Sequence, residues 1–260
     1  MRTHEDRNRI ISHLKGDVLR HIVTLKMLQL YGDAIEFRFV QGTGGWALLS
    51  LLPVVMSDFD RQTYPEAKFV VLVDGTSQAS KLDLLENLPA GRLVIKSYDA
   101  SVTRFALGRL GARKVRSFRS FTLPPAGPVE AAPAGVIESE ALVPEIIQMF
   151  SHNGYLEAEL AIHFAARARW YAIQDGVRKI SAGFVFRNFD LVWEIGGLFT
   201  VPGFRRQGHA RKIVAAALNH LVAQKLVPRY QVRADNLESI RLAESTGLQP
   251  FLQMDHLLTH

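Results

Sequence analysis

The sequence predicts a mixed α/β (α+β) protein made of two domains. Segments with the hydrophobic period of a helix alternate with segments that have the period of a strand along the 260 residues. Apolar residues make up 48% of the chain and charged residues 22%, a composition that supports a large core and argues against disorder. The stretch TLPPAGPVEAAPAG interrupts this alternation, because its prolines and glycines disfavour a helix and a central strand. We therefore predict an N-terminal α/β domain at 1–123, a linker at 124–135 and a second domain at 136–260.

The composition also excludes several classes of site. The chain contains no cysteine, which excludes disulfides, thiolate zinc sites, iron–sulfur clusters and a cysteine nucleophile. We expect no metal, and a cysteine-free chain fits a reducing, cytoplasmic environment. The first 20 residues are too charged for a secretory signal. The longest apolar run, at 46–56, is too short to span a bilayer and contains a proline, so no membrane partner is expected.

The first half contains no pattern that can be assigned to catalysis. The apolar period predicts one or two helices at 6–31, with Gly16 as a weak point. Further strands are predicted at 36–41, 46–56, 68–73, 92–97 and 114–121, with helices at 77–88 and 101–110.

The net charge of +6 belongs to this first half and is densest between Arg104 and Arg119. A basic segment can attract phosphates or acidic partners. No nucleic-acid motif accompanies it, so we interpret it as a solvated face or a charged edge strand and expect no nucleic-acid partner.

The second half carries a strand, a basic loop and a helix in direct succession. An apolar strand is predicted at 191–201, with Glu194 inside it and Gly196-Gly197 in its middle. Paired glycines in a strand indicate a bulge or a close backbone approach. The loop leads into an amphipathic helix at 210–225. Helices at 142–151 and 157–165 and strands at 169–173 and 181–186 precede this segment.

The loop has the chemistry of a pyrophosphate site. The first turn of a helix offers free backbone N–H groups and a partial positive charge. Gly208 removes a side chain where an anion must approach, and Arg205 and Arg206 add positive charge.

Three segments in order resemble the GNAT superfamily of acyl-CoA-dependent N-acyltransferases. RRQGHA, from Arg205 to Ala210, is similar to the pyrophosphate loop of that family, Q/R-x-x-G-x-G/A. EIGGLFTVP before it resembles the family's fourth strand, and NLESIRLAESTGL after it resembles the helix that ends in Gly-Phe, with Leu248 in place of Phe. The resemblance covers about 137–260. The sequence of the strand is most similar to that of the glycine N-acyltransferase-like branch.

The resemblance implies a fold, an activity and a donor site. The second domain is expected to have the GNAT fold, a central mixed sheet flanked by helices, and the first to be a degenerate GNAT-like lobe. The implied activity moves an acetyl group from acetyl-CoA, or another acyl-CoA, to a primary amine of a small molecule by direct attack in a ternary complex. The implied donor-binding residues are Phe199, Thr200, Val201, Arg205, Arg206, Gln207, Gly208, His209, Ala210, Asn236 and Ser239.

Glu194 is the candidate general base. An alkylammonium must lose a proton before it attacks, and burial in an apolar strand makes a carboxylate a better proton acceptor. The alternative is a structural glutamate paired with an arginine. A backbone N–H beside Gly196-Gly197 is the candidate oxyanion donor.

The chain departs from the family at the general acid. Many members carry a tyrosine where this chain has Ala243, and Tyr230 and His209 are weak substitutes. Two other functions stay open: a non-catalytic acyl-CoA-binding module and a protein N-acetyltransferase. Monomer and homodimer are both compatible with the sequence.

Overall fold

The computed structural model describes residues 4–124, 127, 130–131 and 133–260. The predicted linker at 124–135 therefore lies partly outside the described residues. The chain divides into two compact units, Met1–Phe118 with Leu252–His260, and Arg119–Phe251.

The first unit alternates helices and strands as the sequence predicts, with two differences. Residues Val54–Met56, expected to continue a strand, form a 3-10 turn, because pairing ends at Pro53. A short helix at Asp58–Thr63, capped by Ser57, was not predicted. The elements are α1 (His4–Lys15), α2 (Ile22–Tyr31), β1 (Glu36–Gly42), β2 (Gly45–Pro53), α3 (Asp58–Thr63), β3 (Phe69–Gly75), α4 (Gln78–Glu86), β4 (Leu93–Ser97), α5 (Ala100–Gly108) and β5 (Arg113–Thr122).

The second unit begins within β5. The helices expected at 142–151 and 157–165 are present, and the helix after the basic loop starts one residue before the predicted Ala210. The elements that follow β5 are β6 (Val136–Ser139), α6 (Pro144–Ser151), α7 (Glu157–Ala165), β7 (Arg169–Asp175), β8 (Arg178–Phe189), β9 (Val192–Thr200), α8 (His209–Ala223), β10 (Val227–Arg233), α9 (Leu237–Ser245) and β11 (Gln249–Leu258).

Each unit contains a mixed sheet. In the first unit β1, β2 and β3 are antiparallel, β4 is parallel to β3, and the end of β11 pairs antiparallel with β4. This pairing places Leu252–His260 in the first unit, although the sequence analysis assigned it to the second domain. In the second unit β6 to β9 form an antiparallel meander, and β10 is parallel to β9. The predicted mixed α/β fold with helices on the sheet is confirmed.

The sheet of the second unit is covered by apolar side chains on both faces. Ile213 and Leu218 of α8 and Ile240 of α9 pack with Ile195 on one face. Phe150 of α6 and Leu160 of α7 pack with Phe184 on the other. β9 therefore lies between two packed layers, which hold its side chains in place. None of the helices in the described part of the chain has the length and hydrophobicity needed to cross a bilayer.

Candidate active site

Strands β9 and β10 pair only along their first residues. Val192–Ile195 lies in parallel register with Val227–Tyr230, and the two strands share no further pairs in the described chain. β9 continues to Thr200, still paired with β8 on its other side. The edge of Gly196–Thr200 that faces away from β8 thus has no strand partner, and we call it the β9 slot. Unpaired strand edges can hydrogen-bond an extended ligand.

A bulge lies at the start of the β9 slot. The β8–β9 register shifts between Ala182 and Phe184, and Gly197 has a φ of +63°. A Cβ atom on Gly197 would lie 2.6 Å from the Phe184 ring, and one on Gly196 would lie 2.7 Å from the Tyr155 hydroxyl oxygen. Both glycines are therefore required by close packing, as the pair in the sequence indicates.

The helix α8 follows β9 after residues 201–208 and begins with an open N-terminus. Its N-cap is Gly208, with a φ of +81° and no side-chain cap. Among the described residues, and apart from its two chain neighbours, a Cβ atom on Gly208 would meet no atom within 4 Å. Uncapped N–H groups and the dipole of a helix are features that favour the binding of an anion.

The loop side chains lie at the surface around this helix start. Arg205, Arg206 and Gln207 are exposed. The Arg205 Nε donates a hydrogen bond to the Thr200 carbonyl at 3.0 Å, and the His209 Nε2 lies 3.3 Å from the Gln207 side-chain oxygen. The two guanidinium groups therefore add positive charge close to the first turn of α8, where Ala210 is half-buried.

The end of β9 is bonded to β8. Phe199 and Thr200 pair with Ala182 and Ser181, and the Val201 N–H donates to the Ile180 carbonyl at 2.9 Å. The N–H of Val201 is therefore already used within the protein. Donor contacts of Phe199, Thr200 and Val201 stay a prediction.

Asn236 and Ser239 have local structural roles. The Asn236 Oδ1 accepts the Ser239 N–H at 3.1 Å and caps α9, while the Tyr230 hydroxyl donates to the Ser239 hydroxyl at 3.2 Å. Their contact with a donor also stays a prediction. Ala243 is fully buried among apolar side chains, so no hydroxyl projects from that position.

Glu194 lies in a buried polar network. It is 7% exposed and stands directly opposite Arg229, which is 3% exposed, in the β9–β10 register. Its Oε2 accepts hydrogen bonds from the Arg229 Nη1 at 2.5 Å and the Asn188 Nδ2 at 2.8 Å. The Arg229 Nη2 also donates to the Ser120 hydroxyl at 3.1 Å. Glu194 is therefore paired with an arginine, as the structural alternative predicts. Its other oxygen, Oε1, has no hydrogen-bond partner among the described residues.

Tyr155 lies close to Gly196, at the start of the β9 slot, and no sequence pattern had singled it out. It lies between α6 and α7, and its ring meets Phe184 edge-on with centroids 5.1 Å apart. Burial raises the pKa of Tyr155, and the charge of Glu194 raises it further. The Gly197 backbone has a smaller effect, which lowers the pKa. No local pattern marks such a tyrosine, because only packing brings it to β9.

The comparisons with known proteins agree with this geometry. Residues 140–248 match the model of the acetyltransferase (GNAT) family. The expected family resemblance is confirmed at this level, and the glycine N-acyltransferase-like branch stays a prediction. No curated protein shows significant sequence similarity to the chain.

Solved structures share the fold. A protein from Drosophila melanogaster is 14% identical, with 100% of this chain and 97% of that chain covered and a TM-score of 0.62. A GCN5-related N-acetyltransferase from Kribbella flavida is 16% identical and has a TM-score of 0.58. The match covers 92% of this chain and 94% of that chain. A GNAT-family acetyltransferase from Colwellia psychrerythraea is 11% identical and has a TM-score of 0.59. The match covers 90% of this chain and 90% of that chain. Family and fold together support acyl or acetyl transfer as the class of reaction.

Proposed function

We propose that this protein transfers an acetyl group from acetyl-CoA, or another acyl group from its CoA thioester, to a primary amine of a small molecule. The amine attacks the thioester directly while both substrates are bound. The observation that carries the proposal is that the β9 slot is followed along the chain, after residues 201–208, by the open N-terminus of α8.

The donor fits this arrangement by its chemistry. Its pantetheine arm contains amide groups, which can hydrogen-bond the unpaired edge of Gly196–Thr200. Its pyrophosphate carries negative charge, which the N–H groups of His209 and Ala210 and the charges of Arg205 and Arg206 would bind. Gly208 leaves the phosphates room to approach the backbone.

Glu194 is the proposed base. Its Oε2 is held by Arg229 and Asn188, which leaves Oε1 to accept the amine proton, directly or through a water molecule. The position of Glu194, two residues before Gly196 on the same strand, places it next to the start of the β9 slot.

The test combines donor binding with product analysis. Calorimetry with CoA should show binding, and acetyl-CoA with a panel of small amines should yield an acetylated amine by mass spectrometry in step with thiol release. Binding without product from any amine or peptide would instead indicate a non-catalytic acyl-CoA-binding module. Product from lysine or N-terminal peptides alone would indicate a protein N-acetyltransferase.

A further inference from the structure

We infer that the Tyr155 hydroxyl donates a hydrogen bond to the sulfur of the donor thioester as its carbon–sulfur bond breaks. The inference rests on the proposed function. Tyr155 would then stabilise the departing thiolate, a role that the side chain at position 243 cannot fill because it is an alanine.

The position of Tyr155 carries the inference. Its oxygen lies over Gly196, 2.7 Å from where a Cβ would stand. Gly196 is the first residue after the last β9–β10 pair, Ile195 with Tyr230. With the pyrophosphate at α8, the pantetheine arm extends back along β9, about 13 Å from Thr200 to Gly196 at about 3.3 Å per residue. The sulfur end of the donor therefore arrives beside Tyr155.

The Tyr155 hydroxyl has a proton that it can donate to a ligand. In the described residues no protein acceptor takes the hydroxyl proton. Because burial raises the pKa of Tyr155, the group stays a neutral hydroxyl at pH 7.

The step balances without further reactants. The amine nitrogen bonds to the carbonyl carbon, the carbon–sulfur bond breaks, and its electron pair goes to sulfur. Tyr155 keeps its proton and stabilises the thiolate by a charge-assisted hydrogen bond. The proton lost by the amine passes to Glu194 and then to solvent, and the released thiolate takes a proton from solvent.

The charged groups near Tyr155 define the conditions for a test. Glu194 on β9 and Glu159 on α7 both act on it, and Arg229 on β10 pairs with Glu194. His163 on α7 packs on Phe186 with ring centroids 4.2 Å apart. Measurements from pH 7.5 to about 9.5 stay above the range in which histidine ordinarily titrates and span thiol ionisation.

The test compares the affinities of CoA and desulfo-CoA across this pH range. For the wild type we expect CoA affinity to rise with pH until it exceeds that of desulfo-CoA by about 10- to 100-fold, the effect of one hydrogen bond to a charged group. Tyr155→Phe keeps the ring against Phe184 and should lose this preference, while desulfo-CoA affinity and melting temperature stay unchanged. Tyr171→Phe is the matched control, because it removes a buried hydroxyl from the opposite face of the sheet, one that has no hydrogen-bond partner among the described residues.

Four outcomes would overturn the inference. A wild type that binds CoA and desulfo-CoA equally, or a Tyr155→Phe variant that retains the preference, refutes the role of Tyr155 alone. A wild type that binds neither ligand refutes the proposed function and this inference with it. Loss of the preference in Tyr171→Phe as well would show a general effect of removing hydroxyl groups.

Discussion

The two units contain the same strand–helix–strand arrangement, and only one of them leaves it open. In the first unit β3, α4 and β4 form a parallel pair over Phe69–Leu72 and Leu93–Lys96. In the second, β9, α8 and β10 form a parallel pair over Val192–Ile195 and Val227–Tyr230. Both pairs end before their first strands do, so the topology by itself creates a space in each unit.

Side chains close this space in the first unit. Asp74 and Tyr98 each lie two residues beyond the last β3–β4 pair, and the Tyr98 hydroxyl donates to the Asp74 carboxylate. The same carboxylate contacts the His21 Nδ1 at 2.6 Å and accepts from Thr24 at 2.5 Å. In the second unit the residue two positions beyond the last pair on β9 is Gly197, which has no side chain to make such contacts.

The two units also differ at the start of the helix, which is capped in the first unit and open in the second. The N-cap of α4 is Ser77, whose hydroxyl accepts the Ser80 N–H, and the N-cap of α8 is Gly208, which offers no cap. Satisfied donors do not need a ligand, whereas free donors provide a site. The two units therefore differ in the local residues that each places on the same strand–helix–strand arrangement.

Adding a charged side chain at the open helix start should have the largest effect. We expect Gly208→Glu to reduce CoA affinity by more than about 10³-fold, because the carboxylate repels the phosphates and displaces them from the backbone N–H groups. Gly176→Glu is the control, since Gly176 also has a positive φ, +59°, and faces open space. Calorimetry with CoA measures both variants, and normal affinity in Gly208→Glu with an intact fold would remove the loop from the donor site.

Removing the proposed base should have the next largest effect. We expect Glu194→Gln to lower kcat about 10²–10⁴-fold at neutral pH, with a smaller loss as pH approaches the pKa of the amine substrate. Neutralising Glu194 also leaves Arg229 as a buried charge, which costs about 3–5 kcal/mol of stability.

A double variant separates these two consequences. Glu194→Gln/Arg229→Met removes the uncompensated charge and should recover much of the melting temperature without recovering kcat. If kcat recovers together with stability, Glu194 is structural and the base lies elsewhere.

Filling the start of the β9 slot should make the second unit more like the first. In Gly196→Ala the new methyl group meets the Tyr155 oxygen and the Phe186 ring, at 2.7 and 3.3 Å, so we expect about 1–3 kcal/mol of destabilisation and a lower kcat. Gly42→Ala, where a Cβ meets nothing within 4 Å, is the control. Equal urea midpoints for the two variants would contradict the close approach of Tyr155.

Removing the cap in the first unit should have the smallest effect. We expect Ser77→Ala to lower stability by about 1 kcal/mol, because the Ser80 N–H loses its acceptor, and to leave CoA affinity unchanged. Urea unfolding and calorimetry measure the two quantities. A clear loss of CoA affinity would mean that the first unit contributes to donor binding.

The sequence by itself determined the features that depend on neighbouring residues. The glycine pair and the basic loop before α8 were both found from local pattern, because a bulge, a turn or a helical stripe involves residues a few positions apart. The mixed α/β class followed from the same local periods.

The tertiary structure alone decided which distant residues meet. Arg229 faces Glu194 only because β10 aligns in parallel with β9, and Tyr155 reaches Gly196 only because α6 and α7 pack over the sheet. The end of β11 returns to β4 by a pairing between residues still further apart in the sequence. Strand register and the packing of layers depend on the sum of many weak contacts between separated segments, and no local period of the sequence records that sum.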